Sequence, residues 1–83
     1  MSVVDISTEA QTLRVLARLK SGPVDTLTLR KAENVMAPAA RVMTLRKRGY
    51  EIETKLRDKY DDYGRKHPRV AHYRLISEPK VAA

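Results

Sequence analysis

The sequence predicts a small α+β domain in which three helices are followed by a β-hairpin. Apolar residues recur at helical spacing before Gly49 and alternate with polar residues after it. Glycine and proline separate the predicted segments, and both residues interrupt regular structure. The chain has 83 residues and no cysteine, so one small core must hold without a disulfide or a thiolate–zinc site.

The overall charge is strongly positive, with 17 lysines and arginines against 10 acidic residues and a net charge of +7. Excess positive charge favours polyanions but does not choose between DNA, RNA and anionic lipid, and a basic but inert surface is the simplest alternative. No apolar run approaches the ~20 residues that cross a bilayer, and the N-terminus has no signal-peptide pattern. We therefore expect a cytoplasmic protein with no membrane partner.

The first helix is predicted to begin at Thr8 and to end before Gly22 and Pro23. Thr8 and Gln11 have the spacing of a capping box, in which each side chain bonds the other residue's backbone N–H. Glycine followed by proline ends a helix, since glycine closes the last turn and proline cannot continue it. The predicted core stripe of this helix consists of Thr12, Val15, Leu16 and Leu19.

The second helix has two acceptable N-caps, Asp25 and Thr28, and is expected to end near Asn34. Because the segment is short, periodicity does not choose between the two starting points. Its apolar residues, which do not share one stripe, are Leu27, Leu29 and Ala32.

The third helix is predicted over residues 38–48, with Pro38 at its start and Gly49 directly after it. Proline suits the first helical turn, and glycine suits the left-handed position that closes a helix. At about 100° per residue, Val42 and Leu45 share one side with Pro38. A helix that is narrow at its start and cationic on the other side can enter the major groove of DNA, so we interpret it as a candidate recognition helix. The residues of that other side are Ala37, Ala40, Arg41, Thr44, Lys47 and Arg48.

After Gly49 the pattern changes to the period of two that is typical of half-buried strands. The predicted strands span residues 50–57 and 70–76, with a turn at Asp61–Gly64 whose glycine supplies a positive φ. Pro68 is expected to limit pairing near this turn. The predicted inward-facing residues are Tyr50, Ile52, Thr54, Leu56, Ala71, Tyr73 and Leu75.

Three helices followed by a hairpin form the layout of a winged helix-turn-helix domain, in which the hairpin is the wing. We expect this domain to span residues 8–76. Residues 1–7 are predicted to be a flexible arm, and residues 77–83 a disordered tail. Apolar residues in the arm are a candidate homodimer contact, namely Val3, Val4 and Ile6.

Several segments resemble a family of small helix-turn-helix domains found in bacteria and their phages. The resemblance covers residues 13–76 and is most specific at Leu45–Tyr50, which reads Leu-Arg-Lys-Arg-Gly-Tyr, with a closing Tyr-Arg-Leu strand at Tyr73–Leu75. The chain departs from the family at Arg30 and Glu33, where more apolar residues are expected, and in a hairpin several residues longer. The resemblance implies a winged-helix DNA-binding protein whose reading positions are Ala37, Ala40, Arg41 and Thr44.

Side-chain chemistry suggests separate roles along the candidate recognition helix. Arg41 has the planar fork that matches guanine bidentately. Thr44 can contact a thymine methyl group or a phosphate, whereas Lys47 and Arg48 suit phosphates. The alternative is a helix face that is merely solvated.

The wing carries a second group of candidate DNA contacts, which would meet the minor groove or nearby phosphates. Asp58, Asp61 and Asp62 oppose this interpretation, because their charges repel the DNA backbone. A hairpin that is only solvated is therefore the alternative. The candidate wing residues are Arg65, Lys66, His67 and Arg69.

Catalytic or metal chemistry finds little support in the sequence. Asp61 and Asp62 are adjacent but are typical of a solvated turn, and His67 and His72 lack metal-ligand spacing with a third donor. There is no glycine-rich phosphate cradle. We therefore expect no enzymatic activity, no metal, no cofactor and no small-molecule substrate.

The sequence thus predicts sequence-specific binding of double-stranded DNA by a small transcriptional regulator. One such module buries only about 600–1,000 Å² on DNA, which favours a homodimer or a protein partner. A protein-interaction adaptor or inhibitor of a host factor is one alternative, and a DNA-architectural or recombination accessory protein is another. Fold alone does not choose between them.

Overall fold

The structure, a computed structural model, describes residues 7–79, and these residues contain three helices and three strands. The predicted order of three helices followed by a hairpin is confirmed. The arm contact predicted at Val3, Val4 and Ile6 lies outside the described residues, as does the end of the predicted tail. In chain order the elements are α1 (Thr8–Ser21), β1 (Val24–Asp25), α2 (Thr26–Ala32), α3 (Pro38–Lys47), β2 (Glu51–Tyr60) and β3 (Lys66–Ser77).

Helix α1 begins at the predicted residue but has a different cap. The side chain of Ser7 accepts a hydrogen bond of 3.1 Å from the N–H of Ala10, so the capping box predicted for Thr8 is wrong. Gln11 is buried, and its side-chain oxygen accepts the N–H of Met36 at 3.1 Å. Gln11 therefore joins α1 to the segment before α3.

Strand β1 was not predicted, and its position determines which residue caps α2. Val24 and Asp25 pair with β3, and Asp25 then caps α2 by accepting the N–H of Thr28 at 3.0 Å. Of the two predicted caps, Asp25 is therefore the observed one. Helix α2 ends at Ala32, two residues before the predicted end, and Asn34 follows with a φ of 54°.

Helix α3 buries the predicted side, with Pro38, Val42 and Leu45 all enclosed. Its C-terminus closes with two backbone hydrogen bonds, from Gly49 to Arg46 at 3.0 Å and from Tyr50 to Leu45 at 3.1 Å. This pair of bonds defines a Schellman motif, and it requires the positive φ of 103° that Gly49 adopts. The motif directs the chain from α3 straight into β2.

The sheet is antiparallel with the order β1-β3-β2, so β2 is an edge strand. The hairpin pairing is irregular between Arg57 and Lys59, opposite Pro68, as expected of a residue that lacks an N–H. Both strands are longer than predicted. Leu56 was predicted to face inward but is 51% exposed, because burial along β2 falls off after Ile52 and the helices no longer cover the sheet there.

The core lies between the three helices and the inner face of the sheet. It contains residues from every element, and half-buried Leu16, Tyr50, Ala71 and Leu75 pack against it. Within residues 7–79, no helix is long and apolar enough to span a membrane. The buried core residues are Val15, Leu19, Val24, Leu29, Val35, Val42, Leu45, Ile52 and Tyr73.

Candidate nucleic-acid interface

The outward side of α3 is open to solvent along its length. Ala40, Met43 and Lys47 lie opposite the buried residues of the helix and are all exposed. Of these, Met43 was not among the residues predicted from the sequence. It lies three residues after Ala40 and four before Lys47, and this helical spacing could have identified it. Its side chain is 57% exposed.

Two predicted arginines occupy the flank of α3 that faces α1. At about 100° per residue, Arg41 and Arg48 fall on this same flank. Arg48 donates to both carboxylate oxygens of Glu9, at 2.6 and 3.2 Å, and these hydrogen bonds lower the pKa of Glu9. Arg41 is half-buried, and its Nη1 atom is buried with no hydrogen-bond partner in the described part of the chain.

Arg46 lies on the other flank, where α3 meets β2. Its Nη2 atom donates to the carbonyl of Ile52 at 2.6 Å and to the hydroxyl of Thr54 at 2.7 Å. The guanidinium thus tethers α3 to the start of the edge strand and covers one of its carbonyl groups.

The remaining predicted positions of α3 are small. Ala37 is the exposed N-cap residue and makes no side-chain capping bond. Thr44 is half-buried, and its hydroxyl donates to the carbonyl of Ala40 at 3.1 Å. The hydrogen of this hydroxyl is therefore already used by the helix backbone.

Asp61 organises the tip of the wing. One carboxylate oxygen accepts the N–H groups of Tyr63 and Arg65, both at 2.9 Å. The other oxygen lies 3.0 Å from Nε2 of His67 and 3.0 Å from Nε of Arg65. The hydrogen bond from His67, followed by the backbone bond from Arg65, holds the pKa of Asp61 well below its usual range.

Three of the four predicted wing residues are thus paired inside the hairpin, since Lys66 also lies 3.3 Å from Asp58. Arg69 differs, because its exposed side chain has no ion pair to any residue in the 7–79 range. Its backbone N–H bonds to Asp58 at 3.3 Å, and its φ is 55°. Among the four predicted wing residues, Arg69 is therefore the one whose side chain has no acidic partner within residues 7–79.

A groove separates α2 and the start of α3 from the wing strand β3. Its position brings the first turn of the candidate recognition helix and Arg69 to one concave surface. The lining includes Leu27, Arg30, Ala39, Pro68, Arg69 and Val70.

The wing is also held against α2 by two ion pairs. Lys59 on β2 lies 2.7 Å from Asp25, and Asp62 in the turn pairs with Lys31. These contacts restrict the angle between the hairpin and the helices. The wing is therefore connected to α2 at its start, through Asp25, and near its end, through Lys31.

A second basic surface, not predicted from the sequence, covers the outer face of the sheet. Lys55, Arg57, His72 and Arg74 line a shallow groove there together with Glu53 and Pro23. Glu53 lies 3.4 Å from Arg74 and 4.0 Å from Lys55, so part of this charge is compensated. This surface lies on the opposite side of the sheet from the helices.

The fold and the exposed helix define a class of protein, and a comparison of sequences gives the family. A family model described as a winged helix-turn-helix domain matches residues 10–78. The chain belongs to this winged helix-turn-helix family, whose domains are typically non-enzymatic and associated with DNA binding. Neither the curated proteins nor the solved structures contain a significant match.

Proposed function

We propose that this protein binds double-stranded DNA in a sequence-specific manner and acts as a small transcriptional regulator of bacterial or phage origin. Helix α3 enters the major groove, and the wing contacts the backbone or the minor groove. The observation that best supports this function is the open outward side of α3, where Ala40, Met43 and Lys47 are uncovered by the hairpin. The proposed origin rests on the family resemblance of the Leu45–Tyr50 segment.

The phosphate contacts in this proposal come from side chains that have no acidic partner among residues 7–79. Lys47 is exposed near the C-terminal end of α3, and Arg69 is exposed on the wing. The small side chains of Ala39 and Ala40 let the helix backbone approach the groove floor. Arg65 and Lys66 contribute less than their charge suggests, because Asp61 and Asp58 already neutralise them.

Fluorescence anisotropy with a random-sequence duplex at several salt concentrations tests the proposal. Each phosphate neutralised by the protein adds about −0.9 to the slope of log K against log salt. A steep negative slope supports DNA binding. Undetectable binding at low salt would contradict it.

A second candidate function is an adaptor or inhibitor that binds another protein. The observation that favours it is the exposure of two methionines, Met36 at 74% and Met43 at 57%. Methionine is enriched at protein interfaces, where its flexible side chain adapts to the partner. Salt-independent capture of a protein partner without any duplex binding would support this second function.

A further inference from the structure

The outward side of α3 presents more apolar than basic surface. Its central residues are Ala40, Met43 and Thr44, with Lys47 at the end. We propose that α3 selects thymine-rich major-groove sites through contacts with the C5-methyl groups of thymine. This inference rests on the proposed function, because it names the class of sequence that the same helix reads.

The arginines of α3, which are the usual readers of guanine, are held away from this side. Arg46 is tethered to β2 by bonds of 2.6 and 2.7 Å, and Arg48 is paired with Glu9 on α1. Arg41 lies on the flank next to α1, with one guanidinium nitrogen buried. Bidentate recognition of guanine needs two donors of one guanidinium to face the base. Both Nη atoms of Arg48 bond to Glu9, Nη2 of Arg46 bonds to β2, and Nη1 of Arg41 is buried, so none of the three presents both of its Nη atoms to a base.

The residues that remain on the outward side offer few polar groups to a base edge. The hydroxyl of Thr44 donates its hydrogen to the carbonyl of Ala40, so this side chain has an acceptor oxygen and a methyl group but no donor left for a base edge. Ala40 and Met43 have no side-chain donor. In the major groove thymine alone among the four bases presents a methyl group, and apolar side chains contact it favourably.

Burial of the exposed Met43 side chain against DNA would contribute favourable binding free energy. Its side chain is 57% exposed and flexible enough to follow the uneven floor of a groove. Burying one methyl-sized group is worth about 0.8 kcal/mol, which corresponds to about a fourfold change in affinity. Two or three such contacts therefore discriminate by more than tenfold.

The test begins with selection of bound sites from a random duplex library, followed by replacement of each thymine in the selected duplex by deoxyuridine. Deoxyuridine lacks only the C5-methyl group and keeps the same Watson–Crick pairing. We expect about a fourfold loss of affinity at each contacted thymine and no change at flanking thymines. Anisotropy titrations with full-length protein measure both.

Protein variants connect the effect to α3. Met43→Gln, which keeps the length but adds a polar amide, should reduce the difference between thymine and deoxyuridine, whereas Met43→Leu should retain it. Leu13→Ala is the matched control, because Leu13 is also an exposed apolar residue, at 51%, but lies on α1. Leu13→Ala should leave the difference unchanged.

The outcomes separate this inference from the proposed function. Salt-dependent binding with equal affinity for thymine and deoxyuridine would overturn thymine reading and leave DNA binding intact. Thymine reading would also be overturned if the selected sites were rich in guanine and the Arg41→Ala variant lost this preference for guanine. Failure to bind any duplex, with capture of a protein instead, would overturn both.

Discussion

The ammonium group of Lys59 lies 2.7 Å from a carboxylate oxygen of Asp25, and this ion pair joins the wing to the start of α2. Asp25 is only 5% exposed and also accepts the N–H and the hydroxyl of Thr28. Burial acts to raise the pKa of Asp25, but the hydrogen bonds from Lys59 and Thr28 outweigh it and lower the pKa to about 2. One carboxylate thus caps a helix and orients the hairpin.

Asp25→Asn should destabilise the fold by about 1–3 kcal/mol, because the amide can still cap α2 but leaves Lys59 without its counter-ion. Equilibrium urea unfolding measures the change. The matched control is Asp62→Asn, which removes a wing–α2 ion pair whose two side chains are 74% and 73% exposed. An exposed pair is worth at most about 1 kcal/mol, so equal losses in the two variants would contradict the role assigned to Asp25.

The lowered pKa of Asp25 also predicts a loss of stability in acid. The folded-state pKa of about 2 lies below the ordinary value of 3.8, so the ionised carboxylate stabilises the fold above that ordinary value. The contribution, about 2 kcal/mol, disappears as pH falls from 3.8 towards 2. The free energy of unfolding should be measured for both proteins from about pH 6 to about pH 2. The difference between wild type and Asp25→Asn should become smaller as the pH falls. A constant gap would refute the linkage.

Glu9→Gln should strengthen binding to random-sequence DNA and make its salt dependence steeper. The substitution removes a negative charge and releases Arg48, which can then neutralise a phosphate and add about one unit to the salt slope. Glu78→Gln is the control of equal charge, because Glu78 pairs with Lys20 at the other end of α1. If the two variants gain affinity equally, Arg48 does not reach the DNA.

In the wing, Arg69→Ala should weaken duplex binding more than the double variant Arg65→Ala/Lys66→Ala. The reason is that the two cations of the double variant are paired with Asp61 and Asp58, while Arg69 has no acidic partner in the described part of the chain. Salt titrations should show a weaker salt dependence for Arg69→Ala, with the magnitude of the slope of log K against log salt smaller by about one unit. A larger effect of the double variant would mean that the hairpin ion pairs open on binding.

The parts of the fold that were predicted correctly are those set by local chemistry. Pro38 and Gly49 delimit α3 through their own backbone geometry, and the amphipathic spacing of Val42 and Leu45 is independent of the other elements. Strand β1 was missed because two residues carry no periodicity, and they form a strand only by pairing with β3.

The candidate site was harder to predict, since side-chain partners depend on how distant elements pack. Arg48 and Glu9 are 39 positions apart in the chain, so their ion pair has no local signal. The pairing of Lys66 with Asp58 depends on the register of a hairpin with an irregular step. Charge alone therefore does not show which cations have an acidic partner in the folded protein. The roles of the α3 and wing residues in binding stay predictions.

Gly49→Ala should destabilise the protein more than Gly64→Ala, although both glycines have positive φ, 103° and 76°. A left-handed backbone costs an alanine about 1–2 kcal/mol at either position. At Gly49 a Cβ would also lie 2.8 Å from Cβ of Pro79, whereas at Gly64 no atom of the described residues lies within 4 Å of an added Cβ. Thermal unfolding of the two variants should therefore show the lower midpoint for Gly49→Ala, and equal midpoints would show that Pro79 yields without cost. Since Gly49 joins α3 to β2, the same variant should also lower DNA affinity, by disturbing the angle between helix and wing.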